Sequence, residues 1–216
     1  MLDEVAGKRL LAAFGVAVPK SLVLQSATEA GEALQALRPP LVLKIMSPDI
    51  LHKSDAGGVR INLRTPEEVI EAMRVMQKQP AIRSGLIEGF LLEEMAPAGQ
   101  EMVIGGLRDP QFGLLIMVGL GGIFVEVLAD VSFRICPITR FDAEEMLDEL
   151  RGAPLLKGAR GRKPASRAAI VDALLKVGGD KGLLMTHAED IREADINPLI
   201  VSDDAAVAAD VRIILT

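Results

Sequence analysis

Residues 41–59 read LVLKIMSPDILHKSDAGGV, an apolar run with one lysine in its middle and then a polar loop that ends in two glycines. The apolar run 41–46 predicts a β-strand, whose side chains alternate between two faces, so Lys44 shares its side with Val42 and Met46. A lysine in such a strand is rarely buried without a partner. The alternative is an edge strand on which the lysine discourages aggregation.

The loop that follows this strand carries His52, Lys53, Gly57 and Gly58. Paired glycines let backbone amides approach an anion closely, so a strand lysine followed by this loop indicates a phosphate site. His52, beside the glycines and two cations, is a candidate for phosphorylation because a neutral imidazole is a competent nucleophile. The alternatives are an ordinary turn and a histidine that caps a helix or contacts solvent.

Helices and strands are interleaved along the rest of the chain. Capping residues predict helices from Asp3 to Gly15, near 27–37, 66–78 and 143–150, and after Ser166. Apolar runs predict strands, and several lie too close together for helical crossovers, so a mixed α+β sheet fits better than a purely parallel one. The predicted strands are 41–46, 59–63, 90–95, 102–107, 114–118, 124–127, 133–137, 196–201 and 207–215. Residues 151–161 are predicted to form a long irregular loop.

Composition excludes several classes of function. Of the 216 residues, 50% are hydrophobic and 25% charged, which is typical of a soluble globular protein. The net charge of −6 and an aromatic content of 3% disfavour nucleic-acid binding. The acidic amino terminus and the lack of a long apolar run predict a cytoplasmic protein without a membrane segment. Cys136 is the only cysteine and is expected to pack in the core.

The common nucleotide-binding motifs are absent. The sequence has no P-loop pattern, and residues 119–124 place Phe124 where the dinucleotide fingerprint requires glycine. The glycine run at 119–122 is either a hairpin turn or a second close approach to a polyphosphate.

The carboxyl end predicts a β-hairpin around residues 202–206. A turn centred on Asp203 and Asp204 would place Asn197 opposite Asp210 and Asp195 opposite Arg212, with each pair on one face of the sheet. Asn197 and Asp210 could then offer two oxygens to one hard cation such as Mg²⁺. Asp195 and Arg212 are expected to form a flanking ion pair, and the alternative for the whole group is a polar solvent face.

A set of motifs that spans nearly the whole chain in one order closely resembles the β subunit of ADP-forming acetyl-CoA synthetases. The motifs are VLKI at 42–45, HKSDAGGV at 52–59, GQE at 99–101, GLGGIFVE at 119–126, Arg160 with Gly161, and INPL at 196–199. The chain is also similar to the corresponding domain of fused acyl-CoA synthetases and of some protein acetyltransferases, and to the β subunit of succinyl-CoA synthetase.

The resemblance implies an ATP-grasp fold of the α+β class, a single domain over 1–216 in which two subdomains grip a nucleotide. Residues 20–92 would form the first lobe, and 1–19 with 93–216 the second. Lys44 would hold the phosphates, Asn197 and Asp210 would bind Mg²⁺, and Arg160 matches a family position without an assigned role. The nucleotide-binding set implied for ATP or ADP also contains Lys53, Gly57, Gly58, Glu101 and a hinge at Glu93, Glu94 and Met95.

The resemblance further implies a reaction and a partner. A CoA-binding α subunit, or a fused CoA-binding domain, would form an acyl phosphate and then a phosphohistidine, whose phosphoryl group passes to ADP on this chain. His52 matches the family histidine that relays it, and a hetero-oligomer is expected. Asp195 departs from the family pattern, which has glutamate before Ile-Asn-Pro-Leu. The alternatives are a regulatory ATP-grasp domain of an acetyltransferase, or another ATP-grasp carboxylate ligase.

Overall fold

The computed structural model describes residues 1–50, 53–122, 128–158 and 163–216. These residues form two compact units, a larger one of Met1–Val18 with Ala96–Thr216 and a smaller one of Pro19–Met95. Within the described residues, no helix is long and apolar enough to cross a membrane.

The helices and strands alternate irregularly along the chain. The helices are α1 (Glu4–Ala13), α2 (Ala30–Ala36), α3 (Pro66–Gln77), α4 (Pro80–Arg83), α5 (Arg140–Asp148), α6 (Arg167–Gly178) and α7 (Leu183–Thr186), with 3₁₀ turns at Ala27–Glu29 and Ala153–Lys157. The strands are β1 (Ser21–Leu24), β2 (Leu41–Met46), β3 (Val59–Leu63), β4 (Gly89–Glu94), β5 (Gln100–Asp109), β6 (Gly113–Leu120), β7 (Val131–Ile135), β8 (Ile191–Val201), β9 (Ala206–Ala208) and β10 (Val211–Leu215).

The smaller unit is a four-stranded sheet in the order β1-β4-β2-β3, and every pairing is antiparallel. One face of the sheet packs on α2 and α3. Its buried side chains include Leu41, Leu43, Ile45, Phe90 and Leu92. Alternation along β2 therefore directs Lys44 away from this core.

The larger unit has a six-stranded sheet in the order β10-β8-β5-β6-β7, with β9 paired to β8. Its core lies between one face of the sheet and helices α5 and α6. Ile104, Ile116, Ile196 and Ile213 contribute from the sheet, and Leu174 from α6. The opposite face of this sheet carries the side chains that alternate with these core residues.

Helix capping accounts for both the correct and the wrong helix predictions. Thr65 and Glu68 form the predicted capping box of α3, and Asp3 caps α1 as predicted. The prediction of a helix over 143–150 is wrong in its start, because Asp142 accepts the amide of Thr139 at 2.7 Å and so begins α5 at Arg140.

Several other predictions differ from the structure. The predicted helix near 27–37 begins as a 3₁₀ turn, the single strand predicted over 207–215 divides into β9 and β10, and the short strand β1 was missed. The predicted loop over 151–161 contains the 3₁₀ turn Ala153–Lys157. The strand predicted over 124–127 lies outside the described residues.

Candidate nucleotide and metal site

Lys44 lies on a central strand of the smaller unit, since β2 pairs with both β3 and β4. The alternative of an exposed edge-strand lysine is therefore wrong. Its Nζ atom lies 2.9 Å from Oε2 of Glu93, and the two side chains are 8% and 2% exposed. The register pairs Val42 with Glu93 and Lys44 with Leu91, so the ion pair runs diagonally across the two strands.

A buried pair of this kind adds little net stability, because desolvation of both charges opposes their attraction. A lysine held in a strand is, however, already ordered, so it loses little further entropy when it binds an anion. The Lys44 ammonium has the chemistry that a phosphate site requires.

Two of the predicted hinge residues, Glu94 and Met95, are fixed by their backbone and side-chain contacts. The amide of Glu94 donates to the Lys20 carbonyl at 3.0 Å, and the amide of Met95 donates to the Pro40 carbonyl at 3.1 Å. The Glu94 carboxylate also accepts the amide of Arg38 at 3.1 Å. The end of β4 is thus anchored on two sides.

The paired glycines shape the loop between β2 and β3. Gly57 has a φ of +73°, which side-chain-bearing residues rarely adopt, and a Cβ on Gly58 would lie 2.6 Å from Cγ2 of Ile45. The two amides already donate within the loop, Gly57 to the Ser54 carbonyl at 3.1 Å and Gly58 to the Lys53 carbonyl at 2.7 Å. In this conformation the glycines close the loop, and their contact with a nucleotide, like that of Lys53, stays a prediction.

His52 and Arg160 lie outside the described residues. Their predicted roles therefore stay predictions. His187, the other histidine of the chain, packs edge-on against the ring of Phe14 with 5.7 Å between centroids.

The carboxyl-terminal hairpin has the predicted register. Val211 pairs with Ile196, Arg212 with Asp195 and Ala208 with Leu199, and the amide of Asn197 donates to the Asp210 carbonyl at 3.2 Å. Ile196 and Val211 enter the core, so Asn197 and Asp210 are on the opposite face of the sheet. An amide oxygen and a carboxylate on one face are ligands that Mg²⁺ accepts, so the residues present fit that ion.

The expected ion pair between Asp195 and Arg212 is wrong. Nη2 of Arg212 instead lies 2.6 Å from Oε1 of Glu193, since the long arginine reaches the diagonal neighbour on β8. Burial raises the pKa of Asp195, Arg212 opposes that shift, and the charges of Glu193 and Asp210 reinforce it. Asp195 thus lies with Glu193 and Arg212 beside the candidate metal ligands.

Glu101 is exposed on β5 at the end nearest the glycine run. Its carbonyl accepts the amide of Gly121 at 2.8 Å, and a Cβ on Gly121 would lie 2.8 Å from the Cβ of Glu101. Gly121 is therefore required for close packing of the chain after β6 on β5. Residues 123–126 of the motif that contains Gly121 lie outside the described residues.

Asp130 is a buried carboxylate that the sequence analysis missed. It is 5% exposed and accepts the amides of Arg151 at 2.7 Å and Gly152 at 2.8 Å, so it fixes the segment after α5. A side chain at Gly152 would overlap Leu120. No spacing in the sequence predicts that Asp130 binds these two amides. The pair Arg151-Gly152 is itself a weak signal for a turn.

Cys136 packs against the core of the larger unit, as the sequence predicts. Burial raises the pKa of its thiol to about 11, so the thiolate is scarce at neutral pH. A nucleophilic role for this cysteine is disfavoured.

The ATP-grasp domain family matches residues 1–215, so this chain is an ATP-grasp domain. The β subunit of acetate–CoA ligase (ADP-forming) I from Pyrococcus furiosus is 44% identical over 216 residues, covering 99% of this chain and 91% of that protein. This chain belongs to the family of ADP-forming acetate–CoA ligase β subunits.

Solved structures agree with that assignment. The dinucleotide-forming acetyl-CoA synthetase 1 of Ca. Korarchaeum cryptofilum, in complex with coenzyme A, Ca-AMPCP and HgCl⁺, superposes with a TM-score of 0.93 at 42% identity, covering 100% of this chain and 93% of that one. Another structure of that enzyme contains coenzyme A and Mg-AMPPCP, with a phosphohistidine segment pointing towards the nucleotide-binding site. It has a TM-score of 0.82 at 41% identity and covers 99% and 92% of the two chains.

Proposed function

We propose that this chain is the nucleotide-binding, phosphoryl-transfer subunit of an ADP-forming acyl-CoA synthetase. The complete reaction converts acyl-CoA, ADP and phosphate reversibly into a carboxylate, ATP and CoA. The observation that carries the proposal is the strand pairing that places Asn197 beside Asp210, in a chain that matches an acetate–CoA ligase β subunit over 91% of that protein's length.

We assign each of these residues a role that its chemistry or the family resemblance supports. Asn197 and Asp210 hold Mg²⁺ through oxygen atoms, and Lys44 neutralises phosphate charge from a fixed position. Glu93, Glu94 and Met95 contact the base and ribose, while Lys53, Gly57, Gly58 and Glu101 complete the nucleotide contacts. The bound Mg-nucleotide supplies the terminal phosphoryl group or accepts one. Phosphoryl transfer requires positioned charge more than a large catalytic constellation, so this set is sufficient.

The two compact units of the fold are proposed to be the two lobes of the ATP-grasp domain. The unit Pro19–Met95 differs by a few residues from the lobe expected at 20–92. Lys44 and the hinge residues are in the smaller unit, and Glu101, Asn197 and Asp210 are in the larger one.

A CoA-binding partner completes the reaction and sets the acyl group. The partner is an α subunit or a fused domain that carries a phosphorylated histidine, by analogy with the phosphohistidine segment of the Ca. Korarchaeum cryptofilum enzyme. A ring nitrogen of His52 forms a bond to phosphorus as the partner's N–P bond breaks, and that new bond breaks when a β-phosphate oxygen of ADP attacks. We also propose a hetero-oligomer that acts in the cytoplasm, where CoA and ADP are available.

The proposal is tested by separating binding from synthesis. Calorimetry on the purified chain is expected to show binding of Mg-ADP and Mg-ATP, while acyl-CoA formation appears only after the CoA-binding partner is added. Robust acyl-CoA formation by the chain alone would refute the division of labour. Nucleotide binding that changes the activity of an acetyltransferase, without phosphoryl transfer, would support the regulatory alternative instead.

A further inference from the structure

The face of the larger sheet opposite the core consists of side chains in cross-strand rows. The first row is Ile135, Leu115, Leu107, Glu193 and Ile214. The second is Phe133, Met117, Gly105, Asp195 and Arg212. The third contains Val131, Gly119 and Val103 on one side and the candidate metal ligands Asn197 and Asp210 on the other.

The first two rows change character across the sheet. Their charged side chains are on β8 and β10, whereas on β5, β6 and β7 they present an apolar face made of Leu107, Leu115, Met117, Phe133 and Ile135. Three of these side chains are largely accessible to water, Leu107 at 46%, Phe133 at 54% and Ile135 at 56%. Contiguous exposed apolar side chains of this size mark interaction surfaces in soluble proteins.

Strand β7, at one side of the apolar face, is bound to the residue that follows α5. Ser132 and Arg134 alternate with Phe133 along β7, and both bind the carboxylate of Glu149 beyond the end of α5, at 2.5 Å and 2.6 Å. The edge strand of a sheet in a soluble protein commonly carries exposed charged side chains, which prevent association with another protein. Within the described residues, β7 ends the sheet, and its outward side chains are Val131, Phe133 and Ile135.

We propose that the apolar face docks the polypeptide segment of the CoA-binding partner that carries the phosphoryl group. The proposal rests on the proposed function and identifies the surface used by its partner. A covalently attached phosphoryl group cannot diffuse to the metal, so the polypeptide carrying it must lie close to Asn197 and Asp210. Successive rows are about 7 Å apart, because two residues of an extended strand span that length.

The position of the apolar face next to the candidate metal ligands favours the partner's phosphoryl-carrying segment as the molecule that binds there. The apolar face adjoins the row of the candidate metal ligands on the same sheet, so a segment bound there brings its phosphoryl group within a few residues of the ion. Apolar contacts on β5, β6 and β7 also leave the candidate metal ligands Asn197 and Asp210 uncovered. A second copy of this chain would gain the apolar contacts but would bring no phosphoryl group.

Phe133→Ser tests the face, and Phe141→Ser is the matched control. Both phenylalanines are exposed on the larger unit, Phe133 at 54% on β7 and Phe141 at 65% on α5. The probe is the CoA-binding chain that copurifies with this protein, phosphorylated on its histidine. For Phe133→Ser, the partner concentration giving half-maximal ATP formation from Mg-ADP is expected to rise about tenfold, as for an interface anchor. The affinity for Mg-ADP is expected to change less than about twofold, and Phe141→Ser to change neither quantity.

Leu107→Asn is the second variant, because it alters the same face from β5 and is expected to raise the same concentration. Unchanged partner use in both variants, with the parental protein active, overturns this inference and leaves the proposed function intact. Equal effects of Phe141→Ser overturn it as well. So does a solution dimer of this chain that Phe133→Ser disrupts while partner use is unaffected. If the parental chain forms no ATP from the phosphorylated partner, the proposed function fails and this inference fails with it.

Discussion

The Lys44 ammonium nitrogen lies 2.9 Å from Glu93 Oε2, and this diagonal ion pair joins the two central strands of the smaller unit. Both side chains are buried, so the lysine is held in place before any ligand binds. Its position makes the charge available to a phosphate at a low entropic cost. Lys53, in the loop before β3, is only half-buried and is not held by a strand.

Lys44→Ala is therefore expected to weaken Mg-ADP binding more than Lys53→Ala does. The difference should be about tenfold or more, measured by calorimetry on both variants. Removing one partner of a buried ion pair destabilises a protein by about 3 kcal/mol or more, so the titrations should be run far below the melting temperature of each variant. Equal losses of affinity in correctly folded variants would contradict the distinction between the two lysines.

Asn197→Ala and Asp210→Ala are each expected to abolish the tightening of ADP binding by Mg²⁺. Because both side chains serve one ion, the double variant should lose little more than either single variant. The measurement is nucleotide affinity with and without Mg²⁺ for all four proteins. Additive losses that are independent of the metal would show that this side of the hairpin is a structural polar surface.

The Glu149 carboxylate gives a prediction for acid stability. The Arg134 guanidinium and then the Ser132 hydroxyl lower the pKa of Glu149 from 4.5 to about 2. A lowered pKa stabilises the fold above pH 4.5, and this contribution is lost as the pH falls towards 2. Glu149→Gln should therefore be less stable than the parent at pH 7, with the difference vanishing near pH 2 in urea titrations. Glu144→Gln, on the same helix layer, is the control and should show no such convergence.

The sequence predicts the parts of the fold in which local and tertiary preferences agree. The bounds of β2 and β3 match the predictions at both ends, and the Thr65 capping box begins α3 as expected. The start of α5 was misplaced because Asp142 can serve as an N-cap or as the third residue of a capping box. The preceding Thr139 selects the second arrangement.

The candidate site is predictable only where a register follows from a turn. Residues 202–206 fix the pairing of Asn197 with Asp210, because a β-turn sets the register of both strands. The partner of Lys44 does not follow from any local spacing, since sheet pairing brings it Glu93 from a position 49 residues further along the chain. Arg212 pairs with Glu193 rather than with Asp195 because its long side chain reaches the diagonal neighbour. The strand register alone does not predict this contact, since it takes no account of side-chain length.

His52→Ala is expected to abolish phosphoryl transfer from the partner while nucleotide affinity stays within about threefold of the parent. The physical reason is that a neutral imidazole can both accept and release a phosphoryl group near neutral pH. Rapid-quench labelling should detect an acid-labile, base-stable phosphohistidine in the parental chain and none in the variant. Transfer at the parental rate would show that the phosphoryl group passes directly to ADP.

Single-turnover formation of ATP shows whether this chain passes a phosphoryl group from its partner to ADP. The partner, labelled with radioactive phosphate on its histidine, is mixed with this chain, ADP and Mg²⁺, and the label is followed into ATP. We expect stoichiometric labelled ATP with the complete mixture, and none when this chain or Mg²⁺ is omitted. A chain that binds Mg-ADP by calorimetry yet transfers no label to it would contradict the account.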